Sequence, residues 1–303
     1  MIVRLLSPLL LALLLIGCGP ADPPEPEGPT PRPVPERPEP VQAETDLRDA
    51  VRTAMAGAHR SAVHQARDDQ RNPEDTLAFL GLERQHRAIE IWPGGGWYTE
   101  ILAPVLRDHG QLVVANYPPD PDTGYMGRVG QGLLDKLEAD PDVYGQVEVV
   151  QFAPPEYTSL GDTGSADFVL LSRQFHGLAA RGKEAEDAVL DAAYDVLRSG
   201  GVLGLIQHRL PADRDFDPED GTGYVPESYV IAAAARAGFE LDDRSQINAN
   251  PLDTADHEFG VWTLPPSFRA CAEIEDDLEM ADCRKRYQAI GESDRMTLRF
   301  VKP

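Results

Sequence analysis

Short runs of almost unbroken apolar character, each followed by a turn and an amphipathic segment, constrain this chain more than any other feature. Residues 88–92, 111–116, 166–172 and 202–207 are nearly wholly apolar. A strand with one wet face alternates polar and apolar residues, so strands this apolar are covered on both faces. Helical segments at 98–106, 129–139, 184–198 and 226–237 fall between them, and further strands are expected at 146–152, 239–245 and 296–301. The alternation predicts a doubly wound, mostly parallel, seven-stranded α/β sheet in one domain over 45–303, preceded by a helix over 47–67. A connection of about 247–290 is an insertion before the last strand, long enough to form a lid or substrate pocket, or to cover a sheet edge.

The charge balance narrows the partners. With 51 Asp and Glu against 28 Lys and Arg, the net charge is −23. Such a surface repels polyanions, and no basic stripe is present, so nucleic acid is excluded as a partner and a small-molecule substrate is favoured. No set of His, Cys, Asp and Glu has metal-ligand spacing, and no metal is expected; His257, with Asp253, Asp256 and Glu258 around it, is a lone histidine.

The first residues read as a targeting segment. An apolar run over 5–16, too short to span a bilayer, follows Arg4 and ends in Gly17-Cys18. This resembles a bacterial lipobox, which implies a signal peptide over 1–17 and a lipidated Cys18 anchoring the chain to a membrane. Gly19 rather than Asp after the cysteine implies outer-membrane sorting, on the periplasmic face of the cell envelope. A misassigned start codon would instead leave a cytoplasmic protein. Residues 18–44 are rich in proline and read as an extended tether, at about 3.1 Å per residue. Cys271 and Cys283 then remain as a pair, either a disulfide closing a short loop or two free thiols on one helix; a disulfide requires a turn between them.

In a doubly wound sheet the ligand lies beyond the carboxyl ends of the strands. Those ends carry Glu90, Trp92, Gly94, Gly95 and Gly96 after the first strand, and Asn116 and Tyr117 after the second. Ser172, Arg173 and His176 follow the fourth strand, and His208 and Arg209 the fifth. An acid before a glycine turn, a polar residue ending the next strand, the strand around Asp167 and a Gly200-Gly201 turn together resemble class I S-adenosylmethionine-dependent methyltransferases, from about 72 to 239 and over the last strand.

That resemblance implies S-adenosylmethionine as cofactor, methyl transfer as activity and an unknown small acceptor. It places Glu90, Gly94, Gly95, Gly96, Asn116, Tyr117 and Ser172 against the cofactor, with Trp92 standing where the family has its first glycine and Asn116 where it has an acid. His176 and His208 are candidate bases, and Arg173 and Arg209 candidate clamps for a carboxylate or phosphate on the substrate. An alternative takes the lipobox at full weight: a lipid-anchored envelope protein that keeps the fold for ligand binding or interaction, without methyl transfer.

Overall fold

Alternate side chains of the apolar strands enter two separate cores, one on each face of a single sheet. On β1 (Arg87–Ile91), Ala88 goes to one side and Ile89 and Ile91 to the other. On β2 (Gln111–Asn116), Leu112 and Val114 oppose Val113 and Ala115; on β4 (Ala166–Ser172), Phe168 and Leu170 oppose Val169 and Leu171. Burial of each such side chain is worth roughly 1.5–3 kcal/mol, which is why both faces need helices over them. The computed structural model describes residues 40–120, 122 and 124–303. The expected signal peptide, the lipidated Cys18 and the tether as far as residue 39 lie outside the described residues.

The remaining strands are β3 (Glu148–Gln151), β5 (Leu197–Leu210), the two-residue β6 (Val225–Pro226), β7 (Glu240–Ser245) and β8 (Arg295–Val301). Their order is β3-β2-β1-β4-β5-β8-β7, with β6 paired to the end of β5. The pairs from β3 through β5 are parallel, and β8 runs antiparallel to both β5 and β7. This is the expected mostly parallel, doubly wound sheet. The strand order reverses between β1 and β4, which sets the switch point where ligands bind in such sheets.

Two local differences have plain causes. The helix expected over 47–67 runs instead over Pro40–Met55, taking in the last five residues assigned to the tether. Leu47, Val51 and Ala54 are buried along one face of that helix. Gly57 follows its end, and the chain turns into two short helices, Ala62–Gln65 and Asp68–Arg71. The Gly200-Gly201 turn lies within β5, as an irregularity in its pairing with β4. Gly200 has φ of 74°, and a Cβ on Gly201 would come within 2.8 Å of the Arg198 carbonyl oxygen.

The insertion between β7 and β8 holds two 3₁₀ turns, Gly260–Thr263 and Arg269–Cys271, and the helix Asp277–Ile290. Cys271 and Cys283 are disulfide-bonded with Cα atoms 5.8 Å apart. The turn this bond needs is present: Asp276 caps the helix by accepting from the Leu278 and Glu279 amides.

Candidate functional site

The carboxyl end of β1 opens into a turn before the helix Thr99–Leu106. Glu90 is buried there and accepts a hydrogen bond from Thr99 Oγ1 at 2.6 Å, which ties strand to helix across the turn. Burial pushes its carboxyl up to about 7, against the opposing pull of the Thr99 hydrogen bond and of Lys136 and Arg173. Gly94 and Gly96 take φ of 61° and 76°, which side-chain-bearing residues rarely adopt. Lys136 fastens the turn from outside by donating to the Gly95 carbonyl at 2.8 Å while pairing with the buried Glu100. Gly96 packs against Leu133 and does not face the cavity described below.

Trp92 takes a left-handed φ of 48° at the head of this turn. Its indole is buried, donates Nε1–H to the Phe152 carbonyl at 2.8 Å and stacks on Tyr117. Its own carbonyl accepts from Gln174 Nε2 at 2.9 Å. The side chain is therefore a wall anchored in the core. Asn116 is buried and donates Nδ2–H to the Gly130 carbonyl at 2.9 Å, binding β2 to the helix Gly124–Ala139; it stands behind the cavity wall, whereas Tyr117 forms part of it.

Beyond β4, Ser172 presents a buried Oγ with no hydrogen-bond partner among the described residues. Arg173 follows with φ of 59°, its amide donating to the Ile206 carbonyl at 2.7 Å. Burial and neighbouring arginines draw its guanidinium down to about 10, so it stays charged at neutral pH. Burial also lowers His176, to about 4, and holds His208 well below the usual imidazole range, so both rings are neutral at pH 7. His208 Nδ1 is 2.5 Å from Ser293 Oγ. His176 Nδ1 accepts from Gln207 Nε2 at 3.4 Å. The two rings are 5.8 Å apart.

These groups, Arg173, His176 and His208 with Glu90, Trp92, Gly94, Gly95, Tyr117 and Ser172, surround one cavity of about 380 Å³ at the switch point, a volume typical of small-molecule sites. Arg209 is not with them. Its guanidinium pairs with Asp294 at 2.8 Å and with Glu227 at 3.7 Å, which accounts for its charge. The expectation that it clamps a substrate anion is corrected accordingly.

Sequence reasoning missed several lining residues. His64 and Arg67 arrive from the short helical region before β1, Tyr125, Met126 and Val129 from the region after β2, and Val261 and Trp262 from the insertion. The insertion thus contributes to the pocket, one of the two roles expected for it.

No protein-family model matches the chain, and no curated protein matches it. Solved structures do. The cyclase SpnF is similar at 16% identity and a TM-score of 0.52, over 87% of this chain and 95% of that one. Phosphoethanolamine N-methyltransferase 2 of Haemonchus contortus, solved in complex with S-adenosyl-L-methionine, is similar at 14% identity and a TM-score of 0.51, over 77% of this chain and 52% of that one. A methyltransferase of Aquifex aeolicus is similar at 17% identity and a TM-score of 0.47, over 70% of this chain and 94% of that one. The chain has the Rossmann-like methyltransferase fold. A fold that serves a cyclase and a methyltransferase does not by itself name the reaction.

Proposed function

We propose that the cavity binds S-adenosyl-L-methionine and that the chain transfers its methyl group to a small-molecule acceptor. The observation that supports this most is the bare turn after β1: a Cβ on Gly94 or Gly95 would meet no atom within 4 Å, so the backbone itself forms the cavity floor. Glu90, Arg173 and Gln174 share the lining with Trp92, Tyr117 and Trp262, the mixture of polar and aromatic groups that a ligand with a nucleoside and an amino acid at its ends requires. A structure of the same fold holds this cofactor. When bound, it supplies an electrophilic methyl carbon.

What remains for the protein is to position the acceptor and take up a proton. We assign His208 the tautomer in which Nδ1–H donates to Ser293 Oγ, which leaves Nε2 free to accept a proton. His176 has Nδ1 engaged by Gln207 and carries its proton on Nε2, so it orients an acceptor oxygen by donating. Incubating the full chain with methyl-labelled cofactor and the small-molecule fraction of a cell extract tests this. Label passing into a small product, with loss in His208→Gln, is expected. Cofactor bound without any transfer favours the second reading, a binding protein on a retained fold. Trp92 in the glycine position and the engagement of the Asn116 amide by Gly130 lend that reading its support.

We further propose that the chain works in the cell envelope, held by a lipidated Cys18. The Cys271–Cys283 bond supports this, because such bonds persist in oxidising compartments. Mass spectrometry of the amino-terminal peptide from membranes is expected to show acylated Cys18; an unmodified Met1 peptide in the cytosol contradicts it.

A further inference from the structure

One wall of the cavity holds more positive charge than the protein neutralises. Glu292, buried where the insertion meets β8, receives Arg67 at 2.6 Å, Arg71 at 2.9 Å and Arg295 at 2.6 Å. Three guanidinium groups thus share one carboxylate. Their side chains are 17%, 2% and 4% exposed. Arg67 Nη2, both Nη atoms of Arg71 and Arg295 Nε are buried without a hydrogen-bond partner among the described residues. Arg71 is further held against Trp97, its guanidinium 4.6 Å from the ring centre.

Arg173 is the fourth. It lines the cavity beside Arg67, and among the described residues its side chain has neither an ion pair nor a hydrogen bond. The φ of 59° that turns it there is a conformation non-glycine residues reach at a cost, and Gln174 locks the turn by bonding to the Trp92 carbonyl. Even with Glu90, the carboxylate that lines this cavity, ionised, Glu90 and Glu292 together are outnumbered by the four guanidinium groups. Buried charge in excess of its partners is strongly unfavourable. A ligand oxyanion relieves it, and the planar guanidinium fork suits carboxylate and phosphate oxygens. This excess is the more notable in a chain of net charge −23.

We propose that this wall is an oxyanion-binding site for the methyl acceptor: the acceptor carries a carboxylate or phosphate, Arg173 contacts it, Arg67 flanks it, and Arg71 and Arg295 supply the field from behind. The assignment to the acceptor rests on the reading of the cavity as a methyl-transfer site. The cofactor carries a carboxylate of its own, so the same chemistry has a second source, which the experiment separates.

The full chain is titrated calorimetrically with malonate and with inorganic phosphate at constant ionic strength, with and without saturating S-adenosylhomocysteine. Binding of at least one of the two anions is expected in both conditions. Arg173→Gln is expected to weaken it at least about ten-fold, with Arg173→Lys in between, since a hydrogen bond to a charged group is worth that much or more. Arg284→Gln, an exposed position on the insertion helix, is expected to leave it unchanged and controls for bulk charge. Circular dichroism verifies folding, and Arg67→Gln provides a second variant on the same wall. Binding no tighter than chloride, or equal loss in Arg284→Gln and Arg173→Gln, overturns the site. Displacement of the anion by S-adenosylhomocysteine overturns its assignment to the acceptor. Anion binding that depends on Arg173, in a protein that does not bind S-adenosylhomocysteine at all, upholds the oxyanion site and overturns only the methyl-transfer reading.

Discussion

The indole of Trp92 and the ring of Tyr117 lie face to face, 5.0 Å between centres and 5° apart in plane. One comes from the turn after β1 and the other from the end of β2, so the stack closes the side of the cavity where these neighbouring strands finish. Arg181 adds a guanidinium 5.5 Å from the indole. Trp92→Ala is expected to destabilise the protein by about 3–5 kcal/mol, the usual range for losing a buried tryptophan. Chemical denaturation measures it, and a loss below about 1 kcal/mol contradicts a core role.

Glu90 makes a pH prediction. Its folded-state value, raised to about 7, lies above the usual carboxyl range. Its contribution to stability is therefore fully present below about pH 4.5 and is lost as pH rises through 7. Glu90→Gln, which keeps an oxygen for Thr99, is expected to stabilise the protein by about 1–3 kcal/mol at about pH 8 and to change little at about pH 5. Equal effects at both pH values count against it.

The two histidines act in the opposite sense. Their folded-state values lie below the ordinary one, so the stability they contribute is present above about pH 6.5 and lost as pH falls, for His176 through about 4. For activity, His208→Gln is expected to lower kcat about 100-fold or more with cofactor affinity unchanged, the range for loss of a general base. An unchanged kcat removes His208 from the reaction.

Reducing the Cys271–Cys283 bond, or replacing both residues with serine, is expected to cost about 3 kcal/mol, the chain-entropy value for so short a loop. Denaturation with and without reductant measures this. The insertion helix carries the second cysteine, and loss of cavity binding on reduction reports how far Val261 and Trp262 depend on it.

The sheet was legible because its central strands are buried on both faces and their sequences show it; β2 and β4 lie where their apolar runs lie. The edges were less so: β3 and β7 are largely exposed, and β3 covers only Glu148–Gln151 of the expected 146–152. At the site, position after a strand located Glu90, Ser172, Arg173 and His208, but it could not show that Arg209 is neutralised by Asp294, 85 residues away. The arginine wall was hidden for the same reason. Arg67 and Glu292 are 225 residues apart, and nothing local to either residue marks the pairing. The surplus of arginine over carboxylate becomes visible only when the chain is folded.

Gly95 offers the most direct test of the central claim. Its φ is not positive, it lines the cavity, and a side chain there would project into open space. Gly95→Leu therefore fills the proposed cofactor site while leaving the fold in place. Calorimetric titration of S-adenosyl-L-methionine is predicted to give saturable binding near one molecule per chain for the native protein and none for folded Gly95→Leu. No binding to the native protein at millimolar cofactor, or equal binding by both, contradicts the account.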